Sequence, residues 1–188
     1  MYYTKSAPWP HPPICTEVLQ GVGDRLCVYT DTSFGNGRGI SIFTTPSLAK
    51  QILTLPPFQD PSALLSIDIN EYSGTWYTQQ LPDKGMGMLA ARFLNVKDRV
   101  TAYTPALLAY LESDLSTAER EKFFRIAVSQ LPQATQDMYL SLATVYGIEA
   151  VKYQDVVKAN TFQLEIGGSN HLAVFPETSR LNHACAPK

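Results

Sequence analysis

The chain has 188 residues, of which 45% are hydrophobic and 17% charged, with a formal net charge of −2. That balance suits one ordinary domain with a packed core and excludes general disorder. It leaves no basic footprint for direct nucleic-acid binding, and no apolar run reaches membrane-spanning length.

Residues 1–24 read as a lead-in, because Pro8, Pro10, Pro12 and Pro13 favour extended backbone. Met1 to Pro13 shows no apolar signal core, so the expected setting is intracellular, nucleus or cytoplasm. The three cysteines, Cys15, Cys27 and Cys185, form neither a disulfide framework nor a zinc module. A Cys15–Cys27 bridge is the disfavoured alternative, since nothing supports a secreted context. Arg25–Thr30 has strand composition. Gly35-Asn36-Gly37-Arg38-Gly39 reads as a tight turn rather than a cofactor loop, leading into an alternating strand, Ile40–Phe43. Thr45 is placed to cap a helix with Pro46 at its first position, running to about Thr54.

Residues 56–83 carry Pro56, Pro57, Pro61, Gly74 and Pro82 without a clear period, and predict an irregular linker anchored by Trp76 and Tyr77. Beyond Lys84-Gly85-Met86-Gly87, a strand is expected over Met88–Phe93, with a turn at Asn95–Asp98 and a returning strand over Arg99–Tyr103. Thr104-Pro105 either caps a short helix or continues the sheet edge.

The middle of the chain is helical. Ser116 and Glu119 make a capping-box pattern ahead of Phe123, Ile126, Ala127 and Leu131 at helical spacing, and Pro132 ends that helix. The charges Glu119-Arg120-Glu121-Lys122 read as a solvated face. A second helix is expected from about Ala134 to Tyr146, burying Met138, Leu142 and Val145, with Gly147 as its left-handed cap. A third lies near Gln154–Ala159. Phe162–Ile166 and Leu172–Phe175 then alternate around the turn Gly167-Gly168-Ser169 and predict a hairpin.

The densest motif comes last: Asn182-His183-Ala184-Cys185-Ala186-Pro187, preceded by Phe175-Pro176-Glu177-Thr178-Ser179-Arg180-Leu181. This stretch resembles the signature of SET-domain protein lysine methyltransferases, which use S-adenosylmethionine (SAM). Lys84-Gly85-Met86-Gly87, the helical middle, Asn160-Thr161-Phe162 and the hairpin stand in the same family order. The arrangement is most similar to fungal members related to the SET-and-MYND group, without the cysteine-rich MYND finger.

The resemblance implies an α+β fold of small, mostly antiparallel sheets with a helical insert at about 112–159. It implies a partial SET domain over 83–188, behind an extension over 1–82 with short strands, one helix and a Pro-rich linker. It places cofactor contacts at Lys84, Gly85, Met86, Gly87, Asn160, Asn182 and His183. Glycines at such a site let backbone N–H groups approach a carboxylate closely. The implied partner is a protein or histone lysine. No metal ligand is implied, because Cys185 has no local C-x-x-C partner. The family's catalytic tyrosine lies on a strand after the Asn-His motif, and the sequence given ends at Lys188, so the expectation is a truncated SET domain with no catalytic residue, weak or absent SAM binding and no turnover alone. The alternative is a non-catalytic SET-like interaction module. A hydrolase built on His183 and Cys185 is set aside for want of an orienting acid.

Overall fold

A computed structural model describes residues 8–60, 62–65, 67–82 and 85–181. Strands β1 (Ile14–Cys15), β2 (Cys27–Asp31) and β3 (Ile40–Thr44) run antiparallel in sequence, and a helical turn, α1 (Phe34–Gly37), joins β2 to β3. Helices α2 (Pro46–Ile52), α3 (Pro56–Gln59) and α4 (Ser62–Leu65) follow, then a separate hairpin of β4 (Trp76–Leu81) and β5 (Gly85–Ala90). Strand β6 (Leu107–Tyr110) returns to the main sheet. Helices α5 (Thr117–Ser129), α6 (Gln133–Leu140) and α7 (Lys152–Asn160) precede the closing hairpin, β7 (Thr161–Ile166) and β8 (Ser169–Val174). The main sheet has the order β1-β2-β3-β6-β8-β7, with β3 and β6 parallel and every other pair antiparallel.

Strand alternation sorts the core onto two faces. Val28, Phe43, Leu107, Ala109 and Val174 face α5–α7, where Phe123, Phe124, Ala127 and Val128 cover them. Cys27, Tyr29, Ile40, Ile42, Leu108 and Ala173 face the other way, onto Phe34, Ala49, Ile52 and Leu64. Helices on both faces explain why every residue of β2 and β3 is buried. The α+β class is as expected. The main sheet combines strands from both sides of the 82/83 boundary, with β2 and β3 pairing on through β6 to the closing hairpin.

Several local expectations hold. Thr45 Oγ1 accepts from Leu48 N–H at 3.3 Å, with Pro46 opening α2. Ser116 and Glu119 complete a reciprocal capping box on α5. The closing hairpin pairs Phe162 with Ala173 and Ile166 with Ser169.

Others are corrected. The supposed linker over 56–83 contains α3, α4 and β4, because Trp76-Tyr77-Thr78 has strand character that the flanking prolines masked. Strand β5 starts at Gly85, not Met88, and its partner is Trp76–Leu81, not Arg99–Tyr103, which has no strand pairing. Thr104-Pro105 neither caps a helix nor lies in a strand; the chain just beyond it forms the central strand β6, Leu107–Tyr110. Helix α6 stops at Leu140, leaving Val145 exposed, and Gly147 takes its left-handed φ of 66° in a loop beyond. Asp155 holds that loop, accepting from the N–H groups of Val145, Tyr146 and Gly147. Glu121 is not solvated. It is 5% exposed and accepts from Tyr153 and Gln154 N–H at the start of α7, where an anion offsets the unpaired donors of a helix N-terminus.

Cys15 and Cys27 form a disulfide, the alternative that the sequence disfavours. They sit directly opposite each other in the β1–β2 ladder, a juxtaposition that pairing creates and spacing alone does not reveal. Closing so short a loop should stabilise the fold by about 3 kcal/mol. Thiol titration of the unfolded, unreduced chain should therefore find one reactive cysteine. Three would show that the bridge does not form.

His171 is fully buried in β8. Its Nε2 is 2.9 Å from Thr44 Oγ1, its Nδ1 is 3.1 Å from Ser169 O, and the Tyr110 ring packs edge-on at 5.4 Å. A neutral ring protonated at Nδ1 satisfies both contacts: Nδ1–H donates to the Ser169 carbonyl, and Nε2 accepts from the threonine hydroxyl. Burial lowers the His171 pKa below its ordinary value of 6.5, against a smaller opposing effect of the Ser169 contact. The unfolded imidazole thus takes up a proton before the folded one does. Stability should be full above about pH 6.5 and fall as pH drops through the folded pKa. Urea unfolding at pH 7.5 and 5.5 should show this loss, reduced in His171→Gln. An NMR titration placing the His171 pKa above 6.5 would overturn it.

Candidate functional site

After β8 the chain turns through Phe175-Pro176-Glu177 into a single 3-10 turn, Thr178–Arg180, which leads toward the Asn-His motif. Lys84, Asn182, His183 and Cys185 lie outside the described residues. What surrounds the 3-10 turn can still be traced residue by residue.

The turn between β2 and β3 meets Glu177. Asp31 Oδ1 accepts from Ser33 N–H, Ser33 Oγ–H and Phe34 N–H, which holds the entry. Gly35 and Asn36 then take left-handed dihedrals, as do Gly37 and Gly39, while Arg38 is right-handed. A Cβ at Gly39 would stand 2.5 Å from Pro132 Cδ, so this position needs glycine for space as well as for φ. The N–H groups of Gly37, Arg38 and Gly39 already donate to Ser33 and Phe34 carbonyls. The segment is therefore a tight turn, as expected, and its effect is to present the Arg38 side chain. Arg38 Nη1 and Nη2 donate to the two Glu177 carboxylate oxygens at 2.5 and 2.9 Å, with both side chains largely buried. The Arg38 guanidinium also lies 5.2 Å from the Tyr103 ring centroid. Burial, then the Glu177 carboxylate, raises the Tyr103 pKa, so its hydroxyl stays protonated at neutral pH.

Other elements reach the same short segment. Thr101 Oγ1 lies 3.1 Å from Thr178 Oγ1. Ser179 Oγ–H donates to the Asn160 carbonyl at 3.2 Å, and Arg180 Nη2 donates to Ser141 Oγ. Strand β5 packs against the 3-10 turn. That strand contains Gly85, at φ 71° with no atom of the described residues within 4 Å of where a Cβ would be, exposed Met86, and buried Gly87 opposite Gln79.

Of the residues expected at a cofactor site, the structure thus brings the strand carrying Gly85, Met86 and Gly87, and the backbone of Asn160, to the turn that precedes Asn182. The Asn160 side chain is otherwise engaged. Its Nδ2 donates to the Ala143 and Val156 carbonyls, both at 2.8 Å. Sequence reasoning missed Arg38, Glu177 and Tyr103. A lone arginine between two glycines was the available signal, but its partner lies 139 residues away.

Among the described residues, no group of three or more His, Cys, Asp or Glu side chains is arranged to hold a metal, and no helix is long and apolar enough to cross a membrane. The chain matches no protein-family model, no curated protein and no solved structure.

Proposed function

We propose that this chain is a SET-type protein, of a family whose activity is SAM-dependent methyl transfer to a protein lysine. The observation that carries the reading is convergence on the 3-10 turn Thr178–Arg180. The strand with Gly85 and Gly87 packs on it, and Asn160 is hydrogen-bonded to it. These segments come from distant parts of the chain, in the order the motif resemblance implies.

The cofactor would supply an electrophilic methyl group on a sulfonium, which a neutral lysine amine attacks in line. Gly85 and Gly87 would admit its carboxylate close to backbone. The Arg38–Glu177 pair supports the wall of the site, because it ties the β2–β3 turn to the residue just before the 3-10 turn. No residue in the described part is assigned as catalytic.

A second reading, a non-catalytic interaction module, is favoured by one feature. The Asn160 amide nitrogen is already bonded to two carbonyls, leaving only its oxygen for a ligand. SAM affinity of this polypeptide should accordingly be weaker than micromolar. Calorimetric titration is the test. Weak but saturable binding, lost in Gly87→Ala while the variant keeps its melting temperature, supports the cofactor site. No heat at millimolar SAM favours the interaction module.

A further inference from the structure

A cavity of about 470 Å³ opens between the Tyr110 end of β6 and helices α5 and α7. It stands apart from the 3-10 turn. In the β6–β8 ladder Tyr110 pairs with His171, whereas the chain leaves toward Thr178 from the opposite end, where Val174 pairs with Leu107. We propose that this cavity binds a small apolar molecule bearing one anionic group, with the anion at Lys158. This inference does not rest on the methyltransferase reading.

Size, lining and charge support it. The volume falls in the range of ligand clefts, and the walls are apolar and aromatic, with Phe124, Val157 and Leu172 behind and Tyr110 and Tyr146 beside them. Four charged side chains line the space, and three are already matched. Arg120 Nε donates to Glu112 Oε1 at 2.7 Å, and the other Glu112 oxygen accepts from Leu115 N–H. Asp155 is buried and directs its oxygens at three backbone N–H groups of the 145–147 loop. Lys158 is the exception. No carboxylate among the described residues lies within ion-pair distance of it. Its Nζ donates to Tyr146 Oη and sits 4.4 Å from that ring's centroid, at the rim. A ligand with an apolar body would displace water from the Phe124–Leu172 wall, and its anion would complete the one unmatched charge.

The test uses 8-anilinonaphthalene-1-sulfonate as the anionic probe and N-phenyl-1-naphthylamine, which lacks the sulfonate, as its neutral counterpart. The sulfonate probe should bind at one saturable site, more tightly than the neutral probe. Lys158→Gln should weaken the sulfonate probe by about fivefold and remove the preference between the two. Thr117→Trp, which places an indole at the exposed rim, should displace both. Lys152→Gln, a nearby cation that pairs with Glu149 and does not line the cavity, should leave binding unchanged. Circular dichroism melts establish that each variant is folded. The proposal is overturned by the absence of a saturable site, by equal affinity of the two probes in the wild type, by wild-type binding in both Lys158→Gln and Thr117→Trp, or by an equal loss in Lys152→Gln.

Discussion

Replacing Phe43 with alanine should destabilise the fold by about 3–5 kcal/mol, among the largest effects of any single core substitution here. Phe43 is 1% exposed at the middle of the main sheet. Its ring stacks on Phe123 at 5.2 Å and meets Phe124 edge-on at 6.1 Å, so it joins β3 to helix α5. Its strand pairs with β2 on one side and β6 on the other, which limits how far the backbone can collapse into the space left. Phe43→Leu keeps most of the volume and should cost about 1–1.5 kcal/mol. Urea unfolding of the two variants measures both values. An alanine variant within about 1 kcal/mol of wild type would mean that the α5 contact does not hold the sheet.

Arg38→Ala should cost about 3 kcal/mol, toward the lower end for a broken buried ion pair because the residues retain 16% and 11% side-chain exposure. The loss comes mainly from leaving the Glu177 carboxylate without its bidentate partner in a place water reaches poorly. Glu177→Ala should cost a similar amount, since it strands the guanidinium, whose Nε is already buried without a hydrogen-bond partner among the described residues. The double variant Arg38→Met, Glu177→Leu removes both charges and should be less destabilised than either alanine variant. An Arg38→Ala, Glu177→Ala double variant whose loss equals the sum of the two single alanine losses would show that the groups do not act as a pair. Because Glu177 immediately precedes the 3-10 turn, the single variants should also weaken whatever SAM binding the chain has.

Elements whose cause is local were legible in the sequence. Thr45-Pro46, the Ser116–Glu119 box and the Gly167-Gly168 hairpin each rest on residues a few positions apart, and the structure has all three. Misreadings occurred where a local cue met a distant partner. Trp76–Leu81 reads as linker because prolines surround it, yet it forms a ladder with Gly85–Ala90. Leu107–Tyr110 had no local alternation to place it at a sheet centre, since both of its faces are covered. Glu121 belonged to a run of charges on a helix surface, and only the arrival of α7 made it a buried cap. The candidate site divides in the same way. Gly85, Gly87 and Asn160 could be named from motif order, but Arg38, Glu177 and Tyr103 could not.

The sequence by itself determined the α+β class, the helical middle, the helix N-caps at Thr45 and Ser116 and the closing hairpin, because propensity, capping and turn chemistry act within a few residues. Tertiary structure alone decided the strand order β1-β2-β3-β6-β8-β7, the Cys15–Cys27 bridge, the burial of His171 and Glu121, and the meeting of Arg38 with Glu177. Each of these depends on which distant segments pack together, and that is set by covering both faces of one sheet at once rather than by any local preference.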